Sequence, residues 1–521
     1  MVGGILLPPF LLLLARFLDI SAIGSLGGGS TAASLTRTAI WNSFVQGGIS
    51  ALASMAAGLP LGFFLGRYEF RFSRLLRSFA VLPFFLPSIV VVTAFISGFG
   101  PASLASSHIA PLRSLATGLT GIVAVNTFFN APVVAMMTML AVERGDEQID
   151  EAAKTLGASP WRSFRTIWGR DGLIAGAGGG LLAFLYSFAG FTAPLVIGGP
   201  GYFTLEAWIY FLVRTIGNLQ LAALLGFIEA AALLLPALTY IIFLGRTRRV
   251  QASGMRGGVS AGRGGFFKAG LAYAAAWTAV ECYILSSVFA ASFQAGPGGR
   301  LADYSALFGR ISTSALGVAT ATVLANTLFY GLSCSLLVTA AGLAWIYGRR
   351  RISSRIAVAA DAVQFLPLVI SAVILALSLS AVFGRLSGGS YTWVLIIAAQ
   401  AVIAVPIVLR VIESGFAAIP GSYAEAALTL GGNAFFEVEL PIARSTLASA
   451  LMFGFAMSLG EFTATNFLAT PPFMPLGVQV YALQGARLFG PADAAAAMLL
   501  LMSLLSFYLI QKLGDVIVAV R

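Results

Sequence analysis

The sequence predicts an all-α polytopic membrane protein of about twelve transmembrane helices, arranged as two parallel repeats of six. Three observations lead to this fold class: most residues are apolar, the arginines cluster in short segments between apolar runs, and one charged phrase occurs twice. The phrase is "EAAKTLGASPWRSF" at 151–164 and "EAALTLGGNAFF" at 425–436. The apolar composition indicates that the protein lies in lipid, the arginine clusters indicate its orientation in the membrane, and the repeated phrase indicates an internal duplication.

The composition requires lipid as the solvent. Of 521 residues, 58% are hydrophobic and only 10% are charged, whereas soluble domains have about 25% charged residues. A spanning helix needs about 20 mostly apolar residues. The first apolar run, "MVGGILLPPFLLLLARF", is interpreted as a short membrane helix rather than a cleaved signal, because no Lys or Arg precedes it. Runs of the required kind lie near 4–20, 38–66, 77–97, 115–141, 172–195, 219–245, 268–292, 315–347, 356–383, 391–411, 445–467 and 490–513.

The net charge of +11 reflects membrane topology rather than a polyanionic partner. Segments on the predicted outer side hold few basic residues, chiefly Arg113, Arg300 and Arg385. This asymmetry is what the positive-inside rule predicts for cytoplasmic loops. We therefore expect a multi-pass protein of the cytoplasmic membrane with lipid around it and no nucleic-acid partner. The inner clusters are Arg67, Arg71, Arg74 and Arg77; Arg246, Arg248, Arg249, Arg256 and Arg263; and Arg349, Arg350, Arg351 and Arg355.

The chain divides into two modules, 1–245 and 268–521. The stretch between them, 246–267, is basic and rich in Gly and Ser, which is typical of a flexible cytoplasmic linker. The modules align in register with offsets that fall in small steps, as insertions in loops produce. Six spans separate equivalent elements, so both modules point the same way and are related by an axis along the membrane normal. The matches are Asn42-Ser43 with Asn326-Thr327 and Gly58 with Gly342 (offset 284), Leu86-Pro87 with Leu366-Pro367 (280), Pro132 with Pro406 and Gly157 with Gly431 (274), and Leu205 with Leu476 and Tyr210 with Tyr481 (271).

The repeated phrase predicts a helix, a turn at the glycine and a second helix, outside the bilayer. Catalysis is disfavoured, because the phrase offers no nucleophile–base pair, metal cluster or phosphate-binding loop. Cys282 and Cys334 lie in apolar runs and His108 in an outer loop, so neither a metal site nor a cofactor is expected. A helix-capping loop is the structural alternative. Two copies on one face, with Trp161 or Phe435 as exposed hydrophobic residues, favour docking to a symmetric dimeric partner.

The two loops resemble the cytoplasmic signature of binding-protein-dependent ABC importer permeases, whose pattern is E-A-A-x₃-G followed by an aromatic residue, an aliphatic residue and Leu-Pro. The first copy has Gly169-Arg170 where Leu-Pro is expected, and the second lacks three residues after its glycine. "LPFFLPSIVV" and "QFLPLVISAV" also resemble this family. The matching positions are Glu151, Ala152, Ala153, Gly157, Phe164 and Ile167 in the first copy, and Glu425, Ala426, Ala427, Gly431, Phe435, Val438 and Leu440-Pro441 in the second.

The resemblance implies a fold, a mechanism and partners. Each half is expected to be a type I permease module of five core helices and one leading helix. The two loops are expected to act as coupling helices on two ATP-binding cassette ATPase subunits, which are expected to form a homodimer, while an external binding protein delivers the solute. Nucleotide then biases a two-state alternating-access equilibrium. The chain itself is not expected to be an enzyme, because no G-x-x-x-x-G-K-[ST] motif occurs.

The substrate remains open between several solutes. Fused two-module permeases resemble ferric-iron and thiamine importers, and "SFAGFTAPLVIGGPGYFTLEAWIYFLVR" (187–214) is similar to their outer loop. "LGEFTATNFLA" (459–469) instead resembles a segment of sulfate and molybdate permeases and of some iron permeases. Ferric iron or thiamine is the favoured substrate, and a molybdate, tungstate or sulfate permease is the alternative. Polar residues within spans are candidates for the pathway or for hydrogen bonds between helices. They are Asn126, Asn130, Gln400, Glu461, Thr463 and Asn466.

An ion-coupled secondary transporter is the rival from another class. Such transporters also use parallel repeats, but they require buried acidic relays and no docking loops. The paired loops therefore favour the ABC permease.

Overall fold

Long apolar helices make up nearly all of the chain that the computed structural model describes. It describes residues 2–17, 31–101, 103–143, 152–153, 155–159, 162, 164–250, 259–260, 264–294, 299, 301–349, 351, 366–368, 370–387 and 391–519. The helices of the first half are α1 (Val2–Phe17), α2 (Thr31–Arg67), α3 (Ser73–Val81), α4 (Ser88–Phe99), α5 (Leu104–His108), α6 (Gly118–Val142), α7 (Arg170–Phe188), α8 (Leu205–Phe211) and α9 (Leu219–Val250).

The second half repeats this order. Its helices are α10 (Gly265–Ser292), α11 (Ala302–Phe308), α12 (Arg310–Leu316), α13 (Thr320–Arg349), α14 (Ala372–Ser387), α15 (Thr392–Ala417), α16 (Gly421–Thr429), α17 (Leu440–Ile442), α18 (Arg444–Gly460), α19 (Thr463–Leu468), α20 (Leu476–Gly485) and α21 (Phe489–Ala519). Short 3₁₀ turns occupy Leu82–Phe85, Ala110–Ala116, Pro200–Tyr202 and Leu366–Leu368, and wide π-helical turns occupy Arg165–Gly169, Pro194–Gly198, Leu212–Ile216 and Ala434–Glu439.

The predicted polytopic helical fold is confirmed. Within the described residues, eight helices are long and apolar enough to cross a membrane, and two bent helix pairs raise this number to ten. One pair bends by 104° between Ser73–Phe85 and Ser88–Phe99, at Pro87, whose ring fixes φ and removes a hydrogen-bond donor. The other bends by 66° between Ala434–Ile442 and Arg444–Gly460. Of the two remaining predicted runs, 4–20 overlaps α1 and 356–383 overlaps α14, and both of these helices are shorter; residues 356–365 and 369 lie outside the described residues.

Glycines bring α2 into backbone contact with α6. A Cβ added at Gly58 would lie 2.5 Å from the carbonyl oxygen of Ala131, and one added at Gly62 would lie 2.5 Å from that of Ala135. Lipid tails are as apolar as leucine side chains, so close packing of small residues, rather than the hydrophobic effect, holds such helices together. The first module is therefore built around this close helix pair, with α7 packed on both.

Each half places its leading helix on the other half. Helix α1 packs on α14 and α15 of the second half, where Leu13 is buried, and α10 packs on α2, α3 and α4 of the first half. Side chains of α10 hydrogen-bond the backbone of the first half: the Tyr283 hydroxyl donates to the Gly98 carbonyl (2.7 Å) and the Ser287 hydroxyl to the Ala94 carbonyl (2.8 Å). This reciprocal exchange holds the two halves together.

The linker region contributes a strand to the first half. Strand β1 (Tyr68–Glu69), directly after α2, pairs in parallel with β2 (Val259–Ser260), in the register Tyr68 with Val259. Helix α9 runs to Val250 and α10 begins at Gly265. The predicted linker, 246–267, thus includes the last residues of α9 and the first residues of α10. Strand β2, which lies in the linker, pairs with β1 next to the end of α2.

Hydrogen bonds repeat between the halves in the predicted register. The amide of Asn42 donates to the carbonyl of Phe203 (3.1 Å), and that of Asn326 donates to the carbonyl of Met474 (3.1 Å). The helix partners share the offset of 284, and the loop partners share the offset of 271. Two further pairs follow the same offsets: the Leu205 amide to Ser43 and the Leu476 amide to Thr327 (both 2.8 Å), and the Trp208 indole to Thr36 (2.9 Å) and the Gln479 amide to Thr320 (2.8 Å).

These bonds fix a re-entrant segment in each half. The segment around α8 and the segment around α20 both return into the helix bundle, where Leu205 and Leu476 are fully buried. Since α2 and α13 hold these segments through side chains near their outer ends, the position of each segment is set by the long helix of its own half.

Candidate functional site

The second copy of the repeated loop is a short exposed helix that ends at a glycine. Helix α16 is followed by Gly431, which has φ +79°, a left-handed conformation that favours glycine. The Gly432 amide donates to the Ala427 carbonyl (2.9 Å), which closes the helix end. Glu425 and Ala426 are exposed and Ala427 is buried. The predicted helix and turn are therefore both present in this copy.

The described part of the first copy has the same ending. The Ala158 amide donates to the Ala153 carbonyl (2.9 Å), the equivalent of the bond in the second copy, and Gly157 has φ +81°. Ala152 is exposed and Ala153 half-buried. Glu151 and Trp161 lie outside the described residues. The loops are thus alike in backbone as well as in sequence.

Among the described residues of each loop, the leucine before the glycine is the most exposed apolar residue. Leu156 and Leu430 are each 88% exposed, and they share the offset of 274 that relates the two loops. Sequence reasoning missed both, although "TLG" occurs in each copy. Equivalent apolar side chains thus project from both copies of the loop.

The prediction that Phe435 is exposed is wrong. Phe435 is only 7% exposed, with its ring 5.0 Å from that of Tyr347 and stacked at 5.8 Å on Phe416. Phe164, its counterpart, is half-buried against Phe63. The chain turns back towards the long helix directly after each loop, so these aromatic residues anchor the loops and leave the projecting surface to the leucines.

A cavity of about 290 Å³ lies between the two halves. Both halves line it, as the predicted axis between parallel repeats requires. Of the described residues that line it, none is Lys, Arg or His. Its wall combines aromatic rings (Phe84, Phe85, Phe129, Tyr186, Phe191, Phe462), hydroxyls (Ser88, Thr192, Thr463), two amides (Asn126, Asn130) and one carboxylate (Glu461).

The polar candidates from the sequence differ in their access to this cavity. The Asn126 amide donates to Gln46 (2.8 Å) and the Asn130 amide to the Ser187 hydroxyl (3.0 Å), so both line the cavity and also join helices. Gln400 lies in a smaller adjoining recess, where its amide donates to the Thr465 hydroxyl (3.0 Å). Asn466 is buried and lines neither space.

Glu461 occupies a fixed position in the cavity wall. Its carboxylate accepts hydrogen bonds from the backbone amides of Ala464 (2.7 Å) and Thr465 (2.9 Å) in the first turns of α19. These donors stabilise a negative charge away from bulk water. The carboxylate is therefore held at the boundary between the halves.

Comparison with known proteins identifies the family. The model of the binding-protein-dependent transport system inner membrane component matches residues 58–249. The chain is 26% identical over 464 residues to a putative ferric transport system permease protein of Haemophilus influenzae, covering 83% of this chain and 70% of that one. It is 25% identical over 499 residues to the thiamine transport system permease protein of the same organism, covering 91% and 88%. The chain is an ABC importer permease.

A third relative matches a shorter part of the permease. The chain is 28% identical over 216 residues to a probable molybdenum ABC transporter permease protein of Haloferax volcanii, covering 41% of this chain and 78% of that one. The two relatives from Haemophilus influenzae instead span both modules, which confirms the fused two-module type. The permease is accordingly a multi-pass component of the inner membrane and a transporter subunit rather than an enzyme.

Two phenylalanines of the permease meet where its halves join. The rings of Phe191 and Phe462 are 6.1 Å apart, and the residues occupy equivalent positions at the offset of 271. Each is backed by an equivalent tyrosine, Tyr210 at 5.3 Å and Tyr481 at 5.8 Å. Both phenylalanines line the cavity and follow spans that lead away from the repeated loops. The pair therefore borders the cavity on the side opposite the loops.

A pair of acidic side chains lies deeper in the same boundary. Glu206 of α8 and Glu229 of α9 are fully buried, and both contact Ser371 at the start of α14 in the other half. Glu229 lies ten residues after the start of α9, within its apolar part. Glu206 was missed because it belongs to a short re-entrant helix that no hydropathy window isolates.

Proposed function

We propose that the permease imports a small cationic solute, ferric iron or thiamine, through the cavity between its halves. An external binding protein delivers the solute, and two ATP-binding cassette subunits dock on the repeated loops and hydrolyse ATP. The observation that carries the docking part is the matched pair of projecting leucines, each 88% exposed beside a left-handed glycine. Two equal projections on one face fit two equal grooves of a dimeric partner.

The wall of the cavity favours a cation over an anion. A solute that leaves water needs compensating interactions, because a bare charge in an apolar site is costly. The cavity offers the Glu461 carboxylate and several aromatic faces, and such faces attract cations. The Asn126 amide donates to Gln46 and Ser50, and the Asn130 amide donates one hydrogen bond to Ser187, so most of these donors already have protein acceptors. Ferric iron would use the carboxylate and hydroxyl oxygens, whereas thiamine would also use the rings.

A tetrahedral oxyanion is the second candidate. The similarity of 216 residues to a probable molybdenum permease supports it. An oxyanion, however, requires convergent donors or cationic side chains, and the described lining residues include neither Lys nor Arg. Uptake measurements separate the two candidates directly.

The docking part is tested by co-purification with the ATPase subunits. Replacing both projecting leucines, Leu156→Ser with Leu430→Ser, is expected to reduce the amount of bound ATPase at least tenfold. The control is Leu301→Ser, an exposed leucine (63%) just before α11, away from the loops. Full ATPase binding by the double variant would contradict docking at these leucines.

The substrate part is tested in proteoliposomes that contain the permease, its ATPase and its binding protein. Uptake of radiolabelled thiamine, ferric ion and molybdate is measured in parallel. We expect transport of one of the two cations, with Glu461→Gln lowering its uptake at least fivefold while ATPase binding persists. Transport of molybdate alone would overturn the assignment of a cation.

A further inference from the structure

The base of each repeated loop makes the same contact with the long helix of its half. In the first half, the rings of Phe63 and Phe164 are 5.3 Å apart, and in the second the rings of Tyr347 and Phe435 are 5.0 Å apart. Phe63 and Tyr347 share the offset of 284, and Phe164 and Phe435 share the offset of 271. Each contact thus joins equivalent positions of the two halves. Its presence in both halves indicates that the contact was kept after the duplication.

An arginine four residues after each long-helix ring stacks on an aromatic residue at this contact. The Arg67 guanidinium lies 4.2 Å above the ring of Trp168 and 5.6 Å from that of Phe164. The Arg351 guanidinium lies 4.2 Å above the ring of Tyr347. These arginines also share the offset of 284. Planar guanidinium groups stack on aromatic faces, which an ammonium group does not reproduce.

The contact lies at the joint between the loop and the following span. A π-helical turn occupies this joint in both halves, at Arg165–Gly169 and Ala434–Glu439. Wide turns of this kind are rare and concentrate at functional sites. In the first half the space is closely filled as well, because a Cβ added at Gly172 would lie 2.4 Å from the Phe63 ring. The joint is therefore packed against the helix and not suspended in solvent.

We infer that Arg67 and Arg351, with their aromatic partners, are positioning residues that transmit loop displacement to the long helices α2 and α13. This inference rests on the proposed docking of ATPase subunits at the loops. Packed side chains and rigid helices carry coupling between distant sites. Helix α2 meets the loop joint at Arg67 and holds the outer re-entrant segment at Asn42, roughly 37 Å away at 1.5 Å per residue. One rigid helix thus touches both ends of the transport pathway.

The test replaces both arginines by lysine, which keeps the charge and removes the planar stack. In proteoliposomes with ATPase and binding protein, Arg67→Lys with Arg351→Lys is expected to lower solute uptake per ATP hydrolysed at least fivefold. ATPase co-purification and basal ATP hydrolysis are expected to stay within twofold of wild type. The control is Arg71→Lys. The Arg71 guanidinium lies 5.7 Å from the ring of its sequence neighbour Phe72, and its replacement is expected to leave the ratio of uptake to hydrolysis unchanged.

A second variant separates positioning from stability. Tyr347→Phe keeps the ring and is expected to preserve the ratio of uptake to hydrolysis, whereas Tyr347→Ser is expected to lower it. If the double lysine variant keeps the wild-type ratio of uptake to ATP hydrolysis, even with a lower melting temperature, these residues only stabilise the fold and the inference is overturned. Failure of the wild-type permease to bind an ATPase would instead refute the proposed function, and that measurement is made before any variant is compared.

Discussion

The close approach of α2 and α6 predicts that one added methyl group will destabilise the permease. A Cβ at Gly62 would lie 2.5 Å from the Ala135 carbonyl oxygen and 2.6 Å from the Thr138 Cβ. The obstacle includes backbone, which no change of rotamer can move. Gly62→Ala must therefore push the helices apart over part of their length. Gly48, on the same helix, has nothing within 4 Å of an added Cβ.

The magnitude follows from two opposing terms. Replacing glycine by alanine inside a helix gains about 1 kcal/mol of helix propensity. Forcing an extra methyl group into a packed site costs about 1–3 kcal/mol. Both variants share the first term, so the difference between Gly62→Ala and Gly48→Ala isolates the second. We expect this difference in the free energy of unfolding to be about 1–3 kcal/mol, with Gly62→Ala the less stable.

The assay is reversible unfolding of the purified permease in mixed micelles, followed by tryptophan fluorescence. Wild type and both variants are measured at several denaturant fractions. Gly48→Ala is expected to be at least as stable as wild type. If the two alanine variants differ by less than about 0.5 kcal/mol, the usual scatter of surface substitutions, α2 and α6 are not in backbone contact at Gly62 and the packing argument is refuted.

Three further predictions concern the outer side and the boundary between the halves. Asn326→Ala leaves backbone carbonyls of its re-entrant segment unpaired and is expected to lower the free energy of unfolding by about 1–3 kcal/mol; an unchanged denaturation midpoint would contradict this. In a chain without its native cysteines, Phe191→Cys and Phe462→Cys are linked by a short bis-maleimide. The link is expected to stop uptake, because the two halves can no longer separate at this pair. Normal uptake by the linked protein would show that the pair does not have to separate during transport. A Gly-Ser insertion after Pro200 is expected to abolish uptake while ATPase binding survives, and normal uptake would make the loop a plain connector.

The sequence was sufficient for the parts of the fold that depend on hydropathy and on turn chemistry. Apolar runs located the spans, and the glycines of the repeated loops predicted turns, which the structure places at positive φ, where few other residues are stable. The register of the duplication was also readable. It predicted matches, such as Asn42 with Asn326, that the structure places in equivalent hydrogen bonds.

Side-chain direction within a span could not be predicted in the same way. In a membrane, a residue facing lipid and a residue facing another helix are both apolar, so hydropathy does not separate them. Leu233 and Leu235 lie two positions apart in α9, yet the first is 1% and the second 74% exposed. The repeated loops lie outside the bilayer, where an apolar residue either anchors its loop or projects from it, and the motif alone does not separate these two roles. Phe435 was therefore expected to be exposed, and the projecting Leu156 and Leu430 were missed.

The two halves preserve their scaffold contacts but differ where the cavity lies. Glu461 occupies the position equivalent to Gly190 at the offset of 271, and both line the cavity. Asn130 likewise faces it, whereas its equivalent at the offset of 274 is Ala404. Two identical half-chains around the same axis would place two carboxylates close together, and their repulsion in a site of low dielectric constant would be costly without a bound cation. Because the halves are fused in one chain, their sequences can differ at equivalent positions. The Glu461 carboxylate, held by the amides at the start of α19, therefore has a glycine, Gly190, as its equivalent in the other half. The cavity can then remain formed without its solute while its wall keeps one carboxylate, which suits the cationic solute proposed above.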